Sequence, residues 1–300
     1  MSYSMQQDVS HTFGVRRSSP FRSLPLTQRN KIFLAAGAAL AASAFLVRQQ
    51  TRKVEREHPP AGGFIDVAGV RLHYIERGQG QPLVLLHGNG SMIQDWESSG
   101  LIDMAARKHR VIAFDRPGYG YSERPRGTTW TPQAQADLLH RALLYLGVER
   151  PIVVGHSWGT LVALSLALDY PDYVKSLVLL SGYYYPTVRA DVPVLSLPAL
   201  PVIGDLMRYT VSPLFGRMIW PAMLRRIFGP ASVPERFSAE FPVWMALRPS
   251  QLRASAAESA QMIPAAFSMR KRYHELTMPV VLMAGDSDRH VDMHAQSERL

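Results

Sequence analysis

Cysteine is absent from all 300 residues, which removes disulfides, thiolate zinc sites, iron–sulfur clusters and a cysteine nucleophile in one step. Acidic residues are scarce at the start of the chain. Up to Pro60, nine Lys/Arg face three Asp/Glu, whereas the remaining 240 residues carry 24 basic and 21 acidic side chains. The formal charge of +9 therefore comes mainly from an N-terminal arm, and the body is close to neutral. No helix-turn-helix, zinc-finger or RNA-platform signature accompanies it, so a nucleic-acid partner is not expected. Internal repeats and low-complexity tracts are lacking as well. With 47% hydrophobic and 19% charged residues, the chain has ordinary globular usage and length for one large α/β unit or two small domains.

What is present begins with an uncharged run, Ile32 to Val47, between Lys31 and Arg48. Its 16 residues fall just short of the roughly 17–25 of a spanning helix, a gap that flanking basic side chains can close by snorkelling. Thirty-one residues precede it, too many for an ordinary signal peptide, and no polar face recurs at helical spacing. The reading is a basic arm over 1–31, a membrane anchor over 32–48 and a linker over 49–62. Basic residues on both sides leave the orientation open.

From Gly63 the pattern alternates. Strands are expected at Phe64–Val67, Val70–Ile75, Pro82–Leu86, Arg110–Phe114, Ile152–Val154, Val174–Leu180 and Val280–Met283, several of them continuous Val/Ile/Leu runs as in a sheet covered on both faces. Helical spacing is expected over Thr131–Leu146 and Thr160–Leu168. The fold class is therefore α/β, a mostly parallel, doubly wound sheet. The alternation breaks at 186–275, where no strand pattern recurs and half of the 22 prolines collect. This stretch reads as an inserted helical cap, with the core formed by 63–185 and 276–300.

Gly155-His156-Ser157-Trp158-Gly159 lies directly between an expected strand and an expected helix. Two glycines flanking a serine allow a sharp turn that exposes its hydroxyl at a helix N-terminus, where developing negative charge is stabilised. Upstream, His87-Gly88-Asn89 follows another strand; the backbone N–H of Asn89, with that of Trp158, could form an oxyanion hole. His87 and Gly88 are expected to support the loop. Asp115-Arg116-Pro117-Gly118-Tyr119-Gly120-Tyr121-Ser122 and Gly285-Asp286-Ser287-Asp288 each follow a strand in the same way.

In combination these motifs resemble the α/β-hydrolase superfamily, over nearly everything from Gly63 onwards. The resemblance implies a nucleophile at Ser157, an acid at Asp288, a lid over the site, and neither metal nor cofactor. It also implies a catalytic histidine about 25 to 30 residues beyond the acid. Only 12 residues follow Asp288. His290 and His294 read as loop or helix-start residues, and the histidine is expected beyond Leu300, leaving the 300 residues alone with little turnover of short esters. The alternating Asp286, Asp288, His290, Asp292 lacks the glycine and distal glutamate of a calcium loop.

Haloalkane dehalogenases and epoxide hydrolases use aspartate at the elbow, so serine favours acyl transfer through a covalent acyl-enzyme. Asn89 and Trp158 nevertheless resemble the dehalogenases' halide-holding pair. The expected substrate is a small apolar ester or acyl compound, because the cap is rich in Leu, Met, Phe and Trp. Two alternatives stay open: a non-catalytic binding protein on this fold, or a dehalogenase or epoxide-hydrolase relative with an altered nucleophile. The oligomeric state is not legible.

Overall fold

The computed structural model describes residues 26–188, 190–288 and 291–300. Its first element is a single long helix, α1 (Leu26–Glu57). Helical structure therefore enters the expected arm at Leu26 and occupies most of the expected linker, which is unstructured only after Glu57. The apolar run ends at Arg48, but Gln49 to Glu57 contain neither glycine nor proline to stop the helix. The first 25 residues of the arm, and His290, lie outside the described residues.

Seven strands follow: β1 (Gly63–Val67), β2 (Val70–Arg77), β3 (Gln81–Leu86), β4 (His109–Phe114), β5 (Ile152–His156), β6 (Ser176–Leu180) and β7 (Val280–Met283). They form one sheet in the order β1-β2-β4-β3-β5-β6-β7, antiparallel at β1–β2 and β2–β4 and parallel elsewhere. Two short helices between β3 and β4, α2 (Ile93–Ser98) and α3 (Leu101–Ala105), were not legible, being too short to show a period. α4 (Pro132–Tyr145) starts where Thr131 Oγ1 accepts from Ala134 N–H at 3.1 Å, and α5 (Trp158–Asp169) is buried along nearly its whole length.

The sheet separates two cores. One holds Leu86, Phe114, Leu139, Leu161 and Leu177 under α4 and α5; the other holds Leu85, Ala113, Val154, Ile93 and Trp96 under α2 and α3. Alternate residues of β3 and β5 point into opposite cores, as the two-residue strand period requires. Between β6 and β7 the regular elements among the described residues are all helices: α6 (Val192–Ser196), α7 (Ile203–Tyr209), α8 (Val211–Phe228), α9 (Glu235–Glu240), α10 (Val243–Ala246) and α11 (Pro249–Met269), with two single 3-10 turns. Residues 40–300 cluster as one compact unit, including the second half of α1. There Val47 and Val54 are buried, Ser43 Oγ donates to Thr210 O at 2.8 Å, and Arg248 pairs with Glu55 at 2.8 Å.

Candidate active site

Ser157 stands between the last residue of β5 and the first of α5 with φ 51° and ψ −118°, a positive φ that side chains rarely adopt. Its neighbours explain why the turn can be that tight. A Cβ on Gly155 would lie 2.6 Å from Gly159 O, and one on Gly159 would strike Leu86 O and His87 O. Both glycines are therefore demanded by backbone packing, not only by flexibility. Ser157 N–H donates to Leu180 O at 2.9 Å, which ties the elbow to β6. Among the described residues, no group hydrogen-bonds Ser157 Oγ.

The loop after β3 lies directly against this elbow, since a Cβ on Gly88 would be 3.1 Å from Ser157 Cβ. Its peptide planes are fixed from behind by Arg116, which is fully buried. Arg116 Nε donates to His87 O (2.8 Å) and Nη2 to Gly88 O (3.0 Å). Its remaining N–H groups go to Glu258 Oε1 (2.5 Å) and Oε2 (3.0 Å) and to Gln135 Oε1 (2.9 Å), so all five donors are spent. His87 is held as tightly. Its Nδ1–H donates to Gly88 O at 2.8 Å, and its Nε2 accepts from Arg116 N–H at 3.0 Å. Burial first, and the Arg116 charge second, push its pKa down to about 3. This imidazole is neutral and has no lone pair left for a substrate.

In a trans peptide the C=O and the following N–H point in opposite directions. Fixing Gly88 O towards Arg116 therefore turns Asn89 N–H the other way, and no described residue accepts from it. The Asn89 side chain is already committed. Its Nδ2 donates to Ser255 O and Ser259 Oγ on α11, both at 3.2 Å, while Oδ1 faces the Tyr119 hydroxyl at 2.9 Å. The Tyr119 hydroxyl also lies 2.7 Å from Glu258 Oε2. Trp158 is buried, and its Nε1–H lacks a hydrogen-bond partner.

Asp115 organises the turn after β4 rather than offering itself to a ligand. Its carboxylate accepts from Ile93 N–H and Tyr121 N–H, both at 3.0 Å, and meets His73 Nδ1 at 2.7 Å. Burial pushes its pKa up, but those partners together hold it below the usual carboxylate range. Asp288 follows β7 and is half-buried. Its Oδ1 accepts from Val291 N–H at 3.0 Å, and its own N–H donates to Gly285 O at 3.2 Å. His294 is exposed and pairs with Glu298 at 2.6 Å.

Sequence reasoning missed two groups. Glu258, fully buried on α11, closes the Arg116 network from 142 residues away; a lone glutamate on an apolar helix face was the available signal. His156 sits next to Ser157 with its ring against Trp96. Its pKa is lowered by burial, against the opposing fields of Asp95 and then Asp288.

A family model described as alpha/beta hydrolase fold matches residues 81–300, and the chain belongs to that family. It is similar to 2-hydroxymuconate semialdehyde hydrolase of Pseudomonas sp. (strain CF600), 36% identical over 131 residues that make up 43% of this chain and 46% of that protein. It is also similar to the soluble epoxide hydrolase of Corynebacterium sp. (strain C12), 37% identical over 114 residues, 38% of this chain and 39% of that one. The chain thus spans about half the length, or less, of these curated relatives. Among solved structures it resembles the epoxide hydrolase CorEH without ligand, with TM-score 0.63 and 26% identity over 76% of this chain and 82% of that chain.

Proposed function

We propose that this protein is a serine hydrolase that cleaves apolar carboxylic esters or related acyl compounds through an acyl-enzyme on Ser157. The observation that carries the reading is the backbone of Ser157: a serine at positive φ, at a helix start, beside an N–H of Asn89 turned away from the Arg116 clamp. That geometry suits attack on a carbonyl whose oxygen develops charge between the N–H groups of Asn89 and Trp158. Asp288 is the acid that orients the base, and His87 and Gly88 support the loop. The helical insertion serves as a lid, and α1 is the membrane anchor; it is long and apolar enough to cross a bilayer.

The relatives' names include an epoxide hydrolase, but opening an epoxide through an ester intermediate needs a carboxylate at the elbow, and Ser157 offers a hydroxyl. Halide holding is disfavoured because Tyr119, Ser255 and Ser259 already occupy the Asn89 side chain. The test is labelling by a fluorophosphonate in membranes of cells expressing the native gene. Modification mapped to Ser157, and lost in Ser157→Ala, supports the reading. Labelling that persists in Ser157→Ala overturns it, as does hydrolysis of apolar esters that this substitution leaves unchanged.

A further inference from the structure

Large apolar side chains are normally turned inward, and the described surface departs from this most in one stretch beyond α1. Of the twenty-six that stand exposed among the described residues, fifteen lie between Val188 and Ile227. On α8 the pattern is regular. Val211, Phe215, Met218, Ile219, Ala222 and Met223 recur at helical spacing on the outer face, while Pro213 and Trp220 are buried on the inner one. A surface helix of a water-soluble domain carries polar residues outward; this one is apolar on both sides. The stretch 188–227 also has few acids, Asp191 and Asp205, against Arg189, Arg208, Arg217, Arg225 and Arg226.

We infer that α7 and the outer face of α8 are buried in a lipid bilayer, as a second membrane contact beside α1. The inference rests on the anchor reading of α1, and one hydrogen bond joins the two. Ser43 lies inside the uncharged run that ends at Arg48, and its hydroxyl donates to Thr210 O, between α7 and α8. Five residues of helix separate Ser43 from Arg48, about 7 Å along the axis. If Arg48 marks the edge of the hydrocarbon, Thr210 is held below that edge, and the helices on either side of it enter the lipid. Amphipathic helices in an interface sink by about the same depth, 5–10 Å. The basic residues fit the same partner. Arg48, Arg52, Lys53 and Arg56 on α1, with Arg225 and Arg226 in the last turn of α8, supply positive charge for anionic headgroups.

The consequence concerns access. α6 and α7 pack on α11, and α11 in turn holds the Asn89 side chain through Ser255 and Ser259. A bilayer contact at α7 and α8 is thus one helical layer from the loop beside Ser157. Substrates dissolved in lipid, such as acyl esters, can then reach the site without crossing water.

The absence of cysteine makes a direct test clean. Single Phe215→Cys and Met218→Cys variants, with Ala36→Cys in α1 and Met104→Cys on α3 as references, are labelled with a polarity-sensitive fluorophore. They are then reconstituted into vesicles of phosphatidylethanolamine and phosphatidylglycerol, with and without nitroxide-bearing lipid. The expected result is a blue shift and nitroxide quenching at positions 215 and 218, as at 36, and neither at 104. Quenching at 36 alone leaves the anchor standing and overturns the second contact. Quenching at none of the three overturns the anchor reading and the inference with it. A blue shift at 215 and 218 without nitroxide quenching, lost as protein is diluted in the bilayer, assigns the surface to a second copy of this chain and also overturns the inference. Unchanged thermal unfolding of each variant verifies the fold.

Discussion

On one side of Ser157 the approach loop is gripped by buried charge from distant elements, and on the other the turn carrying Asp288 is closed by hydrogen bonds within itself. Behind His87, Gly88 and Asn89 lie Arg116, Glu258, Gln135 and Tyr119, all fully buried and joined by hydrogen bonds of 2.5–3.0 Å. The turn after β7, by contrast, is closed locally, with Val291 N–H donating to Asp288 Oδ1 at 3.0 Å and Asp288 N–H donating to Gly285 O at 3.2 Å. The difference teaches that the two halves of the site draw on different sources of order. The backbone donors are preorganised by the interior of the fold, so disturbing them should cost stability. The Asp288 turn is closed by bonds within a few residues, so disturbing it, with Asp288 as the proposed acid, should cost chemistry instead.

The elbow itself should give the largest effect. Gly159→Ala forces a Cβ onto Leu86 O and His87 O, backbone atoms of β3 and the loop after it that cannot move aside. A loss of about 4 kcal/mol or more is expected, with little soluble or membrane-inserted product, as read by thermal unfolding in mild detergent. Tolerance of alanine there would mean that the loop and elbow are not in contact.

Glu258→Gln comes next. It leaves Arg116 and the nearly buried Arg124 without a countercharge, and breaking a buried pair on one side costs about 3–5 kcal/mol. Denaturant unfolding should show this directly. A change under about 1 kcal/mol would place the network nearer water than its burial indicates.

pH probes the same side more gently. Unfolded, His87 takes a proton below about 6.5. In the native state its pKa is pushed down to about 3, by burial and then by Arg116. The unfolded state therefore binds the extra proton, and stability falls as pH drops from 6.5 towards 3, by up to about 1.4 kcal/mol per unit. His73 runs the other way. Burial lowers its pKa, yet its hydrogen bond and ion pair with Asp115 raise it above the usual value. Its contribution is present below about 6.5 and is lost as pH rises through that raised value. Unfolding midpoints against pH should peak between the two, and His87→Gln should flatten the acid limb.

The same contrast explains what could be read in advance. The elbow, the Gly88–Asn89 loop and the acid turn are local patterns, each within eight residues and each following a run of Val, Leu or Ile, so they were legible. Glu258 was not, because the bond that joins it to Tyr119 spans 139 positions and depends on how α11 packs. Nor was the outer face of α8, where apolar residues on both sides of a helix resemble an ordinary core until the structure shows that one side has no partner. The helix over 49–57 was not legible for a simpler reason: charged residues after Arg48 mark the end of an apolar run, not the end of a helix.

The smallest stability effect is expected on the other side of Ser157, at Asp288→Asn. The asparagine keeps a carbonyl oxygen for Val291 N–H, at 3.0 Å in the native turn, and the position is half-buried, so unfolding should shift by less than about 1 kcal/mol. Its charge, however, reaches His156 beside Ser157. Removing that charge takes away one of the two fields that oppose burial, Asp95's remaining, so the His156 pKa should fall further, visible as a ring-proton titration displaced to lower pH. In the product of the native gene, ester turnover should drop by orders of magnitude, because the proposed acid fixes a base and so acts on the transition state and not on the fold. Equal losses of stability and turnover would show that the two shoulders of Ser157 are built alike after all.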